Sequence, residues 1–278
     1  MIRNQSKTLA SYLLALATTL GTNANAALTE WGANAYVSTA DCPSFCTNFA
    51  FGPDNGSGGQ QAVSAASSFS DDRGNANSAA SFSGAGNTPV LKASAEASTG
   101  FHGAFGSAVA IQGYTFNGST TQTLELTVDL TGQLTIPDAE SDASLGATVA
   151  LFSDLGFGYE EFYGNFFEFP VTWLTDTVTG FNAELSLIEG ENGPVSKSGT
   201  LTFSVDPGDS FYLWAEINAN AYSGPNADVI ADGFNTLTMS FSDPSNLAPA
   251  AVPLPAAAWL FGSAVLGLMG GIARRKPS

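Results

Sequence analysis

Apolar and polar residues alternate along most of this chain with a period of two. Between Gln122 and Leu130, the residues Leu124, Leu126, Val128 and Leu130 alternate with Thr123, Glu125, Thr127 and Asp129. Such a segment makes a strand with one buried and one wet face. Residues 90–97 repeat the pattern, with Leu91, Ala93, Ala95 and Ala97 opposite Lys92, Ser94 and Glu96. Further strands are predicted at 31–39, 104–116, 145–153, 168–174, 181–189, 199–205, 210–219 and 235–242. Within 210–219 the alternation buries Phe211, Leu213, Ala215 and Ile217 and points Tyr212, Trp214 and Glu216 away. Many short strands with turn signals and no helical period predict an all-β fold, an antiparallel β-sandwich of jelly-roll type.

The pattern weakens over residues 51–87, a low-complexity stretch of Gly, Ser, Asn and Ala carrying Phe69 and Phe82. Asn55-Gly56-Ser57-Gly58-Gly59 and Asp71-Asp72-Arg73-Gly74-Asn75 read as turns there, with short strands expected at 63–69 and 79–83.

Both ends depart from it altogether. Arg3 and Lys7 precede an apolar run at 9–20 and the small residues Ala24-Asn25-Ala26. These are the parts of a secretory signal peptide, with cleavage expected between Ala26 and Ala27. The signal helix therefore occupies 1–26, and 27–242 is the sandwich domain. A Pro-, Ser- and Ala-containing linker is expected at 243–251.

Residues 256–273 carry no charge. As a helix at about 1.5 Å per residue the run reaches roughly 27 Å, near the hydrocarbon thickness of a bilayer. Pro253 and Pro255 block its extension backward, and Arg274, Arg275 and Lys276 follow it, as at a cytoplasmic end. A transmembrane helix is the expectation, with a buried core helix as the alternative. Ser263, Gly267 and Gly271 lie on one smooth face of it, suited to a close helix partner or simply to a weak span.

This tail resembles the VPLPA variant of the PEP-CTERM sorting signals. The matching residues are Val252, Pro253, Leu254, Pro255 and Ala256, then the span with Trp259, then Arg274, Arg275 and Lys276. The resemblance implies an inner-membrane stage, recognition by an exosortase-type enzyme after signal peptidase has acted, and delivery to the cell surface or an extracellular polysaccharide matrix of a Gram-negative bacterium. Leu254 stands where the family usually has Glu. The signal covers residues 252–278 and carries no chemistry for the rest of the chain.

Charge narrows the partners. Five of the eight basic residues lie in the two ends, leaving Arg73, Lys92 and Lys197 against 25 acidic residues, a formal charge of −22. A surface so charged repels nucleic acid and anionic lipid. It reads as solubility in a salty exterior, with cation binding as the alternative. Cys42 and Cys46 enclose three residues, and export favours a local disulfide over free thiols.

Catalytic signals are sparse. The one histidine, His102, has no Gly-x-Ser-x-Gly partner anywhere, so no catalytic residue is assigned. Asp138, Glu140 and Asp142 alternate in a loop that suits calcium, yet Ala143 and Val149 stand where an EF-hand needs Gly and Glu. A solvated acidic turn is the simpler reading, and no other cofactor is expected. Residues 157–173 are the aromatic centre, in which Tyr159, Tyr163 and Trp173 could stack on sugar rings beside Glu160, Glu161 and Glu168. The same residues serve equally well as a core hairpin. The expectation is an exported, non-catalytic surface or matrix protein. Its alternatives are an exopolysaccharide-binding module and, behind that, a glycan-active enzyme.

Overall fold

The computed structural model of the chain describes residues 32–43, 46–52, 57–60, 64–152 and 183–249. The predicted signal peptide, transmembrane helix, strand 168–174 and aromatic centre lie outside those residues. Among the described residues no helix is long and apolar enough to cross a membrane.

Fourteen strands are described. In chain order they are β1 (Gly32–Asp41), β2 (Thr47–Phe51), β3 (Ser57–Gln60), β4 (Ser64–Asp71), β5 (Gly74–Ser81), β6 (Val90–Ala97) and β7 (His102–Phe116). There follow β8 (Gln122–Thr135), β9 (Asp142–Phe152), β10 (Ala183–Glu189), β11 (Gly193–Val205), β12 (Ser210–Tyr222), β13 (Val229–Phe241) and β14 (Leu247–Pro249). One sheet runs β10-β9-β12-β7-β1-β2, with β3 also on β1 and β14 on β7. The other runs β11-β8-β13-β6-β5-β4. All pairings are antiparallel.

The winding follows from these two orders. Strands β6 to β13 pass from sheet to sheet at every connection except β9 to β10, which stays in one sheet. The four-strand sets β6-β13-β8-β11 and β7-β12-β9-β10 that result have the double Greek-key path of a jelly roll. Strands β1–β3 extend one sheet and β4–β5 extend the other at the same end.

Side-chain size changes across the sandwich. Where β1, β5, β6 and β7 face one another, the buried residues are mostly Ala33, Ala35, Ala76, Ala80, Ala93, Ala95, Ala108 and Ala110. Such small residues let the two backbones come close. A Cβ on Gly106 of β7 would lie 2.8 Å from the Ser94 carbonyl oxygen and 2.9 Å from that of Asn77, both on the opposite sheet. Nearby, the buried hydroxyl of Ser78 donates to the Tyr36 carbonyl at 2.9 Å, bonding one sheet to the other directly. Away from this thin end the core is built of Leu124, Leu126, Leu130 and an aromatic cluster. Tyr114 stacks on Phe211 at 5.5 Å and meets the Phe241 ring edge-on at 5.3 Å. Rings of that size hold the sheets apart where alanines let them close.

Local chemistry explains the tightest turn. Asp71 and Gly74 pair across the β4–β5 hairpin, leaving Asp72 and Arg73 as its loop. The Arg73 amide donates to the Asp71 carboxylate at 3.0 Å, and the guanidinium pairs with the same group. Gly74 sits at φ 153°, where a Cβ would strike the Glu96 carbonyl oxygen at 2.0 Å. Burial pushes the Asp71 carboxyl up, but hydrogen bonds from Arg73 and Thr39 and the Arg73 charge outweigh it and hold the group below its ordinary value.

The segment expected as a linker, 243–251, instead begins by returning to the sheet. Asn117 N–H donates to the Asn246 carbonyl at 2.8 Å, and Leu247, Ala248 and Pro249 pair with Phe116, Thr115 and Tyr114. Leu247 is partly buried against the core, and that apolar contact is what a linker reading of the composition overlooks.

Candidate functional site

The outer face of the sheet containing β6 carries a groove of about 520 Å³, lined by Asn75, Asn77, Ser94, Glu96, Ile230 and Asp232. Alternation explains its chemistry: β5, β6 and β13 bury Ala76, Ala95 and Ala231 inward, so their polar neighbours face out. Strand register lines these side chains up in rows. Ser68, Asn77, Ser94, Asp232 and Gln133 occupy matching positions on five successive strands. Beside them runs a second row of Ser70, Asn75, Glu96, Ile230 and Thr135. At roughly 4.8 Å between strands, each row is about 19 Å long. Ser68 and Gln133 are exposed, whereas Asn77, Ser94 and Asp232 between them are only half-exposed.

A bulge borders the groove. From Asp232 to Thr236 β13 takes four steps while β8 takes two, from Gln133 to Thr131. The same two-residue excess appears against β6, where Gly233 pairs with Ala93 and Leu237 with Leu91. From the opposite sheet, Leu145 fills the space beneath. A Cβ on Gly233 would lie 2.3 Å from Leu145 Cδ1, and one on Gly132 would lie 2.6 Å from Leu145 Cδ2.

The polar groups are pre-set rather than floppy. Asn75 Nδ2 donates to Glu96 Oε2 at 2.6 Å, and Asn77 Nδ2 reaches Ser94 Oγ at 3.4 Å. Amides, hydroxyls and carboxylates in rows can exchange hydrogen bonds with a ligand whose groups both donate and accept. The groove lining contains neither His nor Cys.

No family model, curated protein or solved structure matches this chain.

The residues singled out from the sequence are dispersed. Cys42 and Cys46 are joined in a disulfide, and a Cβ on Gly103 would lie 2.6 Å from Cys42 Sγ, so that sulfur sits hard on β7. His102 Nδ1 lies 3.4 Å from Asp41 Oδ1, an ion-pair separation at the end of β1 and β7. Asp138 and Glu140 fall on the β8–β9 turn, and Asp142 opens β9. There Asp138 accepts the Glu140 amide at 3.1 Å and so caps its own turn, while Asp142 pairs in register with Tyr222. Among the described residues no group of three or more His, Cys, Asp or Glu side chains is placed to share a metal ion. Tyr159, Tyr163 and Trp173 lie outside the described residues, as do Ala24, Ala26 and Ala27 and the sorting-motif residues Val252, Pro253, Leu254, Pro255, Ala256, Arg274, Arg275 and Lys276.

The outer face of the other sheet holds a second feature. Tyr212 and Trp214 do point away from the sandwich core, yet they are 6% and 1% exposed. Val109, Ile111 and Ala150 on the same face are equally buried. Glu216 stands among them, and burial pushes its carboxyl above the ordinary value despite hydrogen bonds from Asn218 and Ser107. The sign of its effect on stability follows. At low pH both folded and unfolded chains hold the proton, and nothing is lost. As pH rises past the ordinary carboxylate value the unfolded chain ionises first, so the fold loses stability until Glu216 itself ionises. Glu216→Gln is accordingly expected to raise the thermal midpoint near pH 7 and to leave it unchanged near about pH 3. Thermal melts across that range check this; an advantage independent of pH would show that burial of the charge is not its source.

Proposed function

We propose that this chain is exported cargo: a non-catalytic β-sandwich protein of the cell surface or extracellular matrix, carried between two removable address segments. The observation that carries the reading is the order Val252-Pro253-Leu254-Pro255-Ala256, uncharged span, Arg274-Arg275-Lys276, opposite a signal peptide ending at Ala26. Signal peptidase removes the first segment. An exosortase-type enzyme cuts near the proline motif while the span holds the chain in the inner membrane. What leaves is an anionic domain that repels nucleic acid and stays soluble by self-repulsion.

Mass spectrometry of the product recovered outside the cell tests this. The expected species begins at Ala27 and ends close to Pro255. A product running from Met1 to Ser278 would overturn it.

A second reading, an exopolysaccharide-binding module, is favoured by the groove on β5, β6 and β13. Rows of fixed amide, hydroxyl and carboxylate groups in a shallow trough suit a polyhydroxylated chain better than they suit a compact apolar molecule.

A further inference from the structure

The geometry points to a glycan strand without acidic groups, lying across β4, β5, β6, β13 and β8 in the groove around Asn77, Ser94 and Asp232. This inference rests on the polysaccharide-binding reading above and gives it a site and a ligand class.

Direction comes from the register. Five polar side chains, Ser68, Asn77, Ser94, Asp232 and Gln133, sit at one level on five neighbouring strands. A ligand running across the strands meets a new polar group about every 4.8 Å. That interval is close to one sugar ring of an extended glycan. A ligand running along a strand would meet only two levels before leaving the trough, because Lys92 and Ala79 follow Ser94 and Asn77.

Ligand class comes from the groups themselves. Asn75, Asn77 and Gln133 each offer both donors and an acceptor, Ser94 offers a hydroxyl, and Glu96 and Asp232 accept. Vicinal hydroxyls, which donate and accept at once, complement such a surface. Ile230 gives the trough an apolar spot for the C–H face of a ring. Two carboxylates in the groove, in a chain whose residues between the two end segments carry a formal charge of −22, oppose uronate or sulfated chains. Neutral hexose chains and amine-bearing ones remain, the amine gaining from Glu96 and Asp232. The four-for-two bulge of β13 begins beside the trough, at Asp232.

Binding is measured with the full-length chain in mild detergent, on an array of neutral, amino-sugar and uronate polysaccharides. Calorimetry on hexamers of the bound class follows. Neutral or amino-sugar chains are expected to bind, and uronates are not. Asn77→Ala and Asp232→Ala should each weaken binding about tenfold, the loss of one or two hydrogen bonds. Thr127→Ala and Thr200→Ala, on the same sheet face outside the groove, should leave binding unchanged. The isosteric Asp232→Asn guards against a folding artefact: it should lower amino-sugar affinity and relax the rejection of uronates. Retention of no neutral or amino-sugar chain would overturn the inference, as would tighter binding of uronates or affinity indifferent to Asn77 and Asp232. Loss that instead follows Tyr163→Ala and Trp173→Ala would move the site to the aromatic segment and also refute the groove. A processed, exported chain that ignores every glycan refutes the groove and leaves the export reading standing; groove-dependent binding by a chain that keeps both ends does the reverse.

Discussion

Replacing Gly106 by valine should cost the domain roughly 3 kcal/mol or more, a large share of the 5–15 kcal/mol that holds a typical domain folded. The first methyl-sized atom added there already conflicts with two carbonyl oxygens of the facing sheet, at 2.8 and 2.9 Å. Those oxygens belong to backbone in β5 and β6, so no side chain can swing aside. Relief requires the sheets to part, and parting them breaks the bond from Ser78 to the Tyr36 carbonyl and loosens the alanine packing around it. Gly146 is the control. Its Cβ would meet only Ile188 Cγ1 at 3.9 Å, so Gly146→Val should be tolerated. Urea unfolding of the two variants separates them. Equal midpoints for Gly106→Val and the parent would show that the thin end of the sandwich is not in close contact.

That thin end also explains what could be read from the sequence and what could not. β6 alternates cleanly, and its predicted limits, 90–97, are those observed. Strands β8, β9 and β11 are legible for the same reason: apolar residues alternate with polar ones. Within residues 51–87 the expected strand 63–69 matches β4 and the turn at Asp71–Asn75 is the observed hairpin, but the expectation at 79–83 catches only the end of β5, because β5 buries alanine and serine and the contrast between its faces is weak. β13 is predicted from 235, whereas it begins at Val229, because before the bulge its inward residues, Val229, Ala231 and Gly233, are mostly small and contrast little with their neighbours. For β12 the pattern gave the direction of Tyr212 and Trp214 but not their burial. A strand covered on both sides reads as a continuous apolar run, and Phe211-Tyr212-Leu213-Trp214-Ala215 is such a run. The groove illustrates a different limit. Ser94 and Glu96 are legible as an outward face, but Asn75 and Asn77 lie in the low-contrast stretch before β6 and Asp232 comes from far along the chain, and only register brings the five together.

Leu145→Ala is expected to strike stability and the groove at once. The side chain is fully buried and fills the space left by two missing Cβ atoms, at Gly132 and Gly233, under the bulge of β13. Truncating it opens a cavity that glycine neighbours cannot fill from their side chains, so the cost should fall at about 2–5 kcal/mol. Leu126→Ala, in the core away from the bulge, should cost a similar amount for the same lost atoms. The two differ in what they release. Without Leu145 the two extra residues of β13 lose their support from below, and Asp232, which stands at the start of the bulge, is no longer held level with Ser94 and Gln133. At temperatures where both variants remain folded, Leu145→Ala should therefore lose glycan affinity and Leu126→Ala should keep it. Denaturation curves give the first comparison and calorimetry the second. Equal affinity in the two variants would mean that the bulge holds its shape without the leucine, and that the floor of the groove is set by the strand hydrogen bonds alone.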